Sequence, residues 1–95
     1  MAINKLRYRA VLRVIDAFPR EWDQEMYHNS WGSTHCFAGW AQILSGKKPS
    51  AAFAFYNAKE WLGLTEKEAV YLFSSKRTRE ELELKGLKER VEARG

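Results

Sequence analysis

Residues that begin and end helices divide this chain into short segments, and this punctuation restricts the possible folds more than any other feature. Pro19 disfavours helical geometry at Phe18 and so predicts the end of a first helix there. Thr65 and Glu68 stand in the register of a capping box, which predicts a helix start. No segment alternates apolar and polar residues with period two, and no Asn-Gly or Asp-Gly pair indicates a hairpin. The pattern therefore predicts helices joined by short connections.

The fold class predicted from this pattern is all-α. Apolar residues recur three and four positions apart, as on the buried face of a helix. The chain has 95 residues, of which 14% are aromatic, so we predict one compact domain (residues 1–95) of four to five short helices around an aromatic-rich core. The last helix has few apolar residues among its charges and is predicted to be peripheral. The predicted helices cover residues 3–18, 35–45, 51–62, 64–74 and about 78–94.

Positive charge is concentrated at the start of the chain. Residues 1–20 carry five basic side chains and one acidic side chain, which equals the net charge of +4 for the whole chain. Lys5, Arg9 and Arg13 fall on the face of the first helix opposite its apolar residues, so an anionic partner should be drawn there. Arg7 falls within the apolar arc. Its aliphatic part could lie on the core with the guanidinium in solvent, or the guanidinium could line the opening of a pocket and bind an anion.

An irregular aromatic segment follows the first helix. Trp22, Tyr27 and Trp31 lie there beside His28. Aromatic side chains near arginine can stack on a base while the arginine binds phosphate, and they can equally form a protein-binding hot spot. The predicted ligand-binding residues are Arg7, Arg9, Arg13, Trp22, Tyr27, His28, Trp31 and His35.

Cys36, the only cysteine, stands near the start of the helix predicted over 35–45, with Ser33 or Thr34 as its N-cap. Free N–H groups at that position can stabilise a thiolate, and His28 and His35 could supply a base. Adjacent helical residues point about 100° apart, however, and no third group orients either histidine. A buried structural cysteine is therefore favoured, and no catalytic residue is predicted. The His28-x6-His35-Cys36 spacing is not that of a zinc site, so we predict no metal or cofactor.

Gly39 is unusual because it stands in the middle of a predicted helix. A glycine there costs about 1 kcal/mol relative to alanine. With Ala38 and Ala41 beside it, Gly39 predicts the close approach of another helix or, alternatively, of a ligand. No nucleotide-binding fingerprint surrounds it.

Several function classes are disfavoured by the same residues. The chain has no run of 18 apolar residues, no signal-peptide pattern and a single cysteine, so we predict a cytoplasmic protein without a membrane partner. The candidate recognition helices are apolar, so sequence-specific DNA binding is not expected. A homo-oligomer is a further hypothesis, because so many aromatics in a short chain could leave an apolar patch to cover.

The segment DQEMYHNSWGSTHCFAGWAQILSG, followed by WLGLTEKEAVYLFS, resembles a group of small uncharacterised bacterial and phage proteins. Their pattern is Cys-Gly-Thr, then Cys-x-Ala-Gly-Trp-Ala, and later Leu-Gly-Leu-Thr-x-x-Glu-Ala, and the match covers roughly residues 15–75. Trp31-Gly32-Ser33 stands where the group has Cys-Gly-Thr, so a two-cysteine disulfide, redox pair or metal site does not carry over. The resemblance implies a small helical fold and a phage or mobile-element setting, without an established activity.

The sequence leads to three hypotheses about function. The favoured one is a non-catalytic binding protein, in that setting a phage-encoded inhibitor of host defence, which captures an anionic nucleotide-like ligand through the basic first helix and the aromatic segment. The second is a protein–protein inhibitor or adaptor that docks on a host enzyme or nucleic-acid complex. The third, disfavoured by the arguments on Cys36, is a Cys/His-dependent enzyme.

Overall fold

The first helix ends where Pro19 predicts, but it begins at Lys5, two residues after the predicted start. A computed structural model describes residues 2–29 and 34–94 of the chain. The side chain of Asn4 accepts a hydrogen bond from the Arg7 backbone N–H at 3.1 Å and so caps α1, Lys5–Ala17. The helix ends with Phe18 as its C-cap, directly before a 3-10 turn that Pro19 opens.

The all-α prediction is confirmed, and the described part of the chain contains five α-helices. Regular extended structure there is limited to two isolated bridges that join His35 to Trp22 and to His28. The capping box at Thr65 is present with both of its hydrogen bonds. None of the helices in the described ranges is long and apolar enough to cross a membrane. The helices are α1 (Lys5–Ala17), α2 (Phe37–Leu44), α3 (Ala51–Leu62), α4 (Glu66–Leu72) and α5 (Leu87–Arg94).

The core is aromatic, as predicted. The Tyr8 ring of α1 lies 5.1 Å from the Phe37 ring of α2, measured between centroids. Phe73 then contacts both Phe37, at 6.2 Å, and the Phe55 ring of α3, at 5.2 Å. The Tyr8 hydroxyl donates a 2.5 Å hydrogen bond to the Leu82 carbonyl, so its polar tip is satisfied inside the core. These contacts join α1, α2 and α3 to the C-terminal part of the chain.

The predicted helix over residues 78–94 is wrong in its extent. A 3-10 turn covers Glu80–Leu82, and α5 begins only at Leu87. Gly86 interrupts the helix with a φ of +77°, a left-handed conformation that glycine adopts without strain. Leu82, Leu87 and Val91 are buried, so this part of the chain contributes to the core and is not merely peripheral.

Candidate functional site

The aromatic segment between α1 and α2 folds back on itself. Asp23 N–H donates to the His35 carbonyl at 3.0 Å, and His35 N–H donates to the Glu21 carbonyl at 2.9 Å. Cys36 N–H donates to the Met26 carbonyl at 2.8 Å. These backbone bonds hold residues 22–29 beside residues 34–36, at the start of α2.

Gln24 connects this loop by hydrogen bonds to the start of α2 and to the end of α4. Its Oε1 accepts hydrogen bonds from the Phe37 backbone N–H and from Trp22 Nε1, both at 3.1 Å. Its Nε2 donates to the Leu72 carbonyl at 2.9 Å and to the Ser74 carbonyl at 3.0 Å. Sequence reasoning missed Gln24, because nothing in its neighbours indicates that a glutamine there is buried.

The two histidines form a directed hydrogen-bonded chain. His28 Nδ1 lies 2.7 Å from His35 Nδ1, and His28 Nε2 lies 2.7 Å from Gln42 Oε1. The Gln42 oxygen also accepts from the Ser50 backbone N–H at 2.9 Å, while Gln42 Nε2 donates to Asn57 Oδ1 at 2.9 Å. Because Oε1 can only accept, His28 Nε2 must carry a hydrogen. In a neutral pair, His28 Nδ1 then accepts from His35 Nδ1–H.

We call Trp22, Gln24, Tyr27, His28, His35 and Gln42 the loop cluster. Four of its members belong to the predicted ligand site. Trp22 Nε1, both ring nitrogens of His28 and His35 Nδ1 bond to other members, and the His35 ring also packs edge-on against Trp40 at 4.7 Å. Trp31, the fifth predicted residue from this segment, lies outside the described residues. The arrangement explains how an irregular segment is held in place.

Gly39 does mark a close approach, but the partner is this loop. A Cβ atom built on Gly39 would lie 1.9 Å from the Tyr27 carbonyl oxygen and 2.9 Å from the Tyr27 carbonyl carbon. The predicted tight crossing with another helix is therefore replaced by contact with loop backbone. Only glycine permits this approach at the centre of α2.

Cys36 serves as the N-cap of α2. The helix begins at Phe37, so the predicted cap at Thr34 is wrong, and Ser33 lies outside the described residues. Cys36 Sγ accepts a hydrogen bond from the Gly39 backbone N–H at 3.4 Å, and the residue is 2% exposed. Burial raises the pKa of the thiol, which disfavours the thiolate that nucleophilic chemistry needs. Within the described ranges, no three or more His, Cys, Asp or Glu residues cluster where they could hold a metal ion.

The predicted arginines lie in different places. Arg7 Nη1 donates to the Trp61 carbonyl at 3.0 Å, and the guanidinium carbon lies 5.1 Å from the centre of the Trp61 ring. Arg7 therefore joins α1 to the end of α3. Arg13 is exposed, whereas Arg9 lines a groove. The structure brings His28 and His35 together, but it places Arg7 against Trp61 and Arg9 in the groove.

The groove that contains Arg9 has a volume of about 1000 Å³. It lies between the beginning of α1 and residues 83–88, and four basic side chains line it: Lys5, Arg9, Lys85 and Lys88. Lys5 and Arg9 are one helical turn apart, so they point to the same side of α1. None of the four is ion-paired anywhere in residues 2–29 and 34–94.

Two acidic side chains also line the groove, and both are already engaged. Glu68 accepts from the Thr65 backbone N–H at 2.8 Å in the capping box of α4. Glu83 pairs with Arg79, which also holds Asp16 at 2.7 Å and 2.8 Å. The electrostatic balance of the groove is therefore positive.

Arg90 of α5 fixes the wall of the groove that carries Lys85. Its Nη1 donates to the Lys85 carbonyl at 2.9 Å, and its Nη2 donates to the carbonyls of Glu81, at 3.1 Å, and Glu83. Its Nε donates to the Tyr71 hydroxyl at 3.3 Å. Sequence reasoning found Lys5 and Arg9 in the basic first helix but missed Lys85 and Lys88, which stand in a mixed-charge segment typical of a solvated face.

The chain was compared with known proteins in three ways. No protein-family model, no curated protein and no solved structure matches it. The resemblance to small phage and bacterial proteins thus stays a prediction.

Proposed function

We propose that this chain is a non-catalytic binding protein that captures a small anionic ligand in the groove. The observation that carries the proposal is the convergence of four cations that have no ion-pair partner among the described residues. Lys5 and Arg9 come from α1, and Lys85 and Lys88 come from the C-terminal part. A phosphate or carboxylate placed among them would gain charge-assisted hydrogen bonds. It would also relieve the repulsion between like charges.

Other basic residues of this protein show the contrast. Arg7, Arg79 and Arg90 each bond to a carbonyl, a carboxylate or an aromatic ring of the chain itself. These contacts give the three arginines a role in holding the fold together. The groove cations make no such contact among the described residues, and binding of an anion would give them a function.

The nucleotide-like ligand and the role in host defence are narrower parts of this proposal. The groove cations suit the phosphates of such a ligand, whereas the loop cluster uses its Trp and His polar atoms internally and gives base stacking no separate support. In the phage setting that the resemblance implies, a protein that sequesters an anionic signalling molecule would inhibit the response that depends on it.

Isothermal titration calorimetry with inorganic tripolyphosphate and with ATP tests the proposal. We expect binding that weakens as salt is raised. The Arg9→Gln/Lys88→Gln double variant should lose roughly tenfold in affinity per removed contact, which corresponds to about 1.4 kcal/mol each. Arg13→Gln is the matched control, because Arg13 is exposed on the same helix but does not line the groove. Absence of binding, or equal losses in both variants, would refute the groove as the site.

A protein–protein adaptor is the second candidate function. It is favoured by the outer face of α3, where Phe53 is 62% exposed and Tyr56 is 60% exposed one turn away. Pull-down from host lysate tests the adaptor: Phe53→Ser/Tyr56→Ser should lose a stoichiometric partner that the wild type and the Val70→Ser control retain. Light scattering of the same proteins across a concentration series tests whether this face instead joins two copies. A wild-type chain that stays monomeric at all concentrations argues against the homo-oligomer.

A further inference from the structure

The floor of the groove is aliphatic. Leu12 and Leu87 form its buried part, and Ile3 and Leu84 are half-buried beside them. No aromatic side chain occurs among the described residues that line the groove. Apolar surface left against water is unfavourable by about 25 cal/mol per Å², so a ligand that covers the exposed parts of Ile3 and Leu84 gains free energy.

The basic side chains flank this floor. Lys5 and Arg9 come from α1, whereas Lys85 and Lys88 come from the segment that Arg90 holds in place. An anionic head group can thus contact cations while a flexible apolar chain attached to it lies on the leucines. A nucleobase would find no ring to stack on among the described lining residues, and stacking is the interaction that usually holds a base.

We infer that the ligand of this groove is an amphipathic anion, a phosphate or carboxylate head group that carries an aliphatic chain. This inference rests on the proposed anion site, and it replaces the nucleotide-like ligand with a different chemical class. The head group is held by charge at the basic side chains, and the chain is held by burial against Ile3, Leu12, Leu84 and Leu87. Alkyl phosphates and fatty acids share this chemistry.

A chain-length series measures the two contributions separately. Inorganic phosphate and butyl, hexyl and octyl phosphate are titrated by calorimetry below their micelle concentrations, with AMP as the base-bearing comparison and octanoate as the carboxylate arm. We expect affinity to rise with each added methylene by up to about fourfold, which is about 0.8 kcal/mol for a fully buried CH₂. Octyl phosphate should then bind more tightly than AMP. Octanoate compared with octyl phosphate identifies the preferred head group.

Two variants test whether the rise in affinity with chain length comes from contact with the apolar floor. Leu84→Asn should flatten the dependence of affinity on chain length, measured relative to the affinity of the same variant for inorganic phosphate. Ile3→Asn is a second floor variant in case the first one unfolds. Leu6→Asn is the matched control, because Leu6 is 82% exposed on α1 and does not line the groove.

The outcomes separate this inference from the proposed function. A wild-type chain that binds phosphate through Arg9 but shows no gain with chain length, or that binds AMP more tightly than octyl phosphate, overturns the amphipathic ligand and keeps the anion site. A chain that binds none of these anions overturns both. A gain with chain length that survives in both floor variants also overturns the inference, because the aliphatic chain then lies elsewhere.

Discussion

The loop cluster and the groove are both rich in polar side chains, but they satisfy them in opposite ways. In the loop cluster, Gln24, His28 and Gln42 bond to neighbouring protein groups. In the groove, Lys5 and Arg9 have no ion-pair partner within the described ranges. The histidines and aromatic residues of the loop cluster, which suggest a binding site, thus hold the loop in place. The stronger candidate site is the groove, which is lined by surface lysines and an arginine.

This difference gives the two regions different sensitivities to mutation. A change in the loop cluster leaves a buried polar group without its partner or forces backbone atoms apart, so it should mainly lower stability. A change in the groove removes an exposed charge that has no ion-pair partner among the described residues, so it should mainly affect binding. Three predictions test this division, and a fourth concerns the Asp16–Arg79 ion pair, which belongs to neither region.

The largest effect is expected for Gly39→Ala. The added methyl group would lie 1.9 Å from the Tyr27 carbonyl oxygen, so the loop must shift, and we expect the free energy of unfolding to fall by about 3 kcal/mol. Urea unfolding followed by circular dichroism measures this loss. Gly46→Ala is the control, because nothing lies within 4 Å of a methyl group there and only the backbone penalty of about 1 kcal/mol applies. Equal losses in the two variants would contradict the contact with Tyr27.

Gln42→Leu should have the next largest effect. The substitution leaves His28 Nε2, the Ser50 N–H and Asn57 Oδ1 without the partner they share, so we expect a loss of about 2 kcal/mol in the free energy of unfolding. Equilibrium unfolding in urea provides the value. A variant as stable as the wild type would mean that the histidine chain contributes nothing to holding the loop.

A smaller, pH-dependent effect is expected for the pair behind the groove. The hydrogen bond from Arg79 holds the pKa of Asp16 below its ordinary value. The folded-state pKa is thus the lower one, so the pair stabilises the fold at neutral pH, and this contribution is lost as the pH falls through the folded-state value. Because Asp16 is largely exposed, Asp16→Asn should lower the free energy of unfolding by at most about 0.5 kcal/mol at pH 7.

Urea unfolding at pH 7 and at pH 3 measures this pair, with Glu92→Gln as the control at an exposed acidic position. The difference between wild type and Asp16→Asn should shrink toward zero at the lower pH. A difference that grows on acidification would show that Asp16 is not stabilised as a carboxylate in the folded state.

The smallest effect on stability is expected in the groove. The Arg9→Glu/Lys88→Glu variant should stay within about 0.5 kcal/mol of the wild type in urea unfolding, since neither side chain is ion-paired in the ranges that the structure describes. Calorimetry on the same sample should show that anion binding is lost. If this variant unfolds as readily as Gln42→Leu, the distinction between the two regions fails.

Local signals in the sequence predicted much of the fold. Pro19 and the Thr65 capping box act on their immediate neighbours, and the end of α1 and the start of α4 follow them. The C-terminal part did not follow its local signal. Thr78 and Glu81 stand in the same capping-box register and make their reciprocal hydrogen bonds, but only a 3-10 turn follows them, and Gly86 separates that turn from α5.

The candidate site was only half predictable for a related reason. Lys5 and Arg9 lie in a run of unbalanced charge that the sequence displays directly. Lys85 and Lys88 lie within residues 78–94, where five basic and five acidic side chains balance, so the sequence shows no excess of positive charge there. Only the packing of the C-terminal part against α1 brings them to the same groove as Lys5 and Arg9. The role of Gln24 is a matter of tertiary hydrogen bonds, which no spacing in the sequence reports.

The bonds of Arg90 to the Lys85, Glu81 and Glu83 carbonyls have a consequence for ligand binding. One wall of the groove exists only while α5 is docked, so occupation of the groove and docking of α5 are thermodynamically linked. A bound ligand must stabilise the docked C-terminus as strongly as docking strengthens the ligand's affinity. Protection of the basic C-terminal residues from trypsin would therefore report occupancy of a groove whose other wall is more than seventy residues away in the sequence.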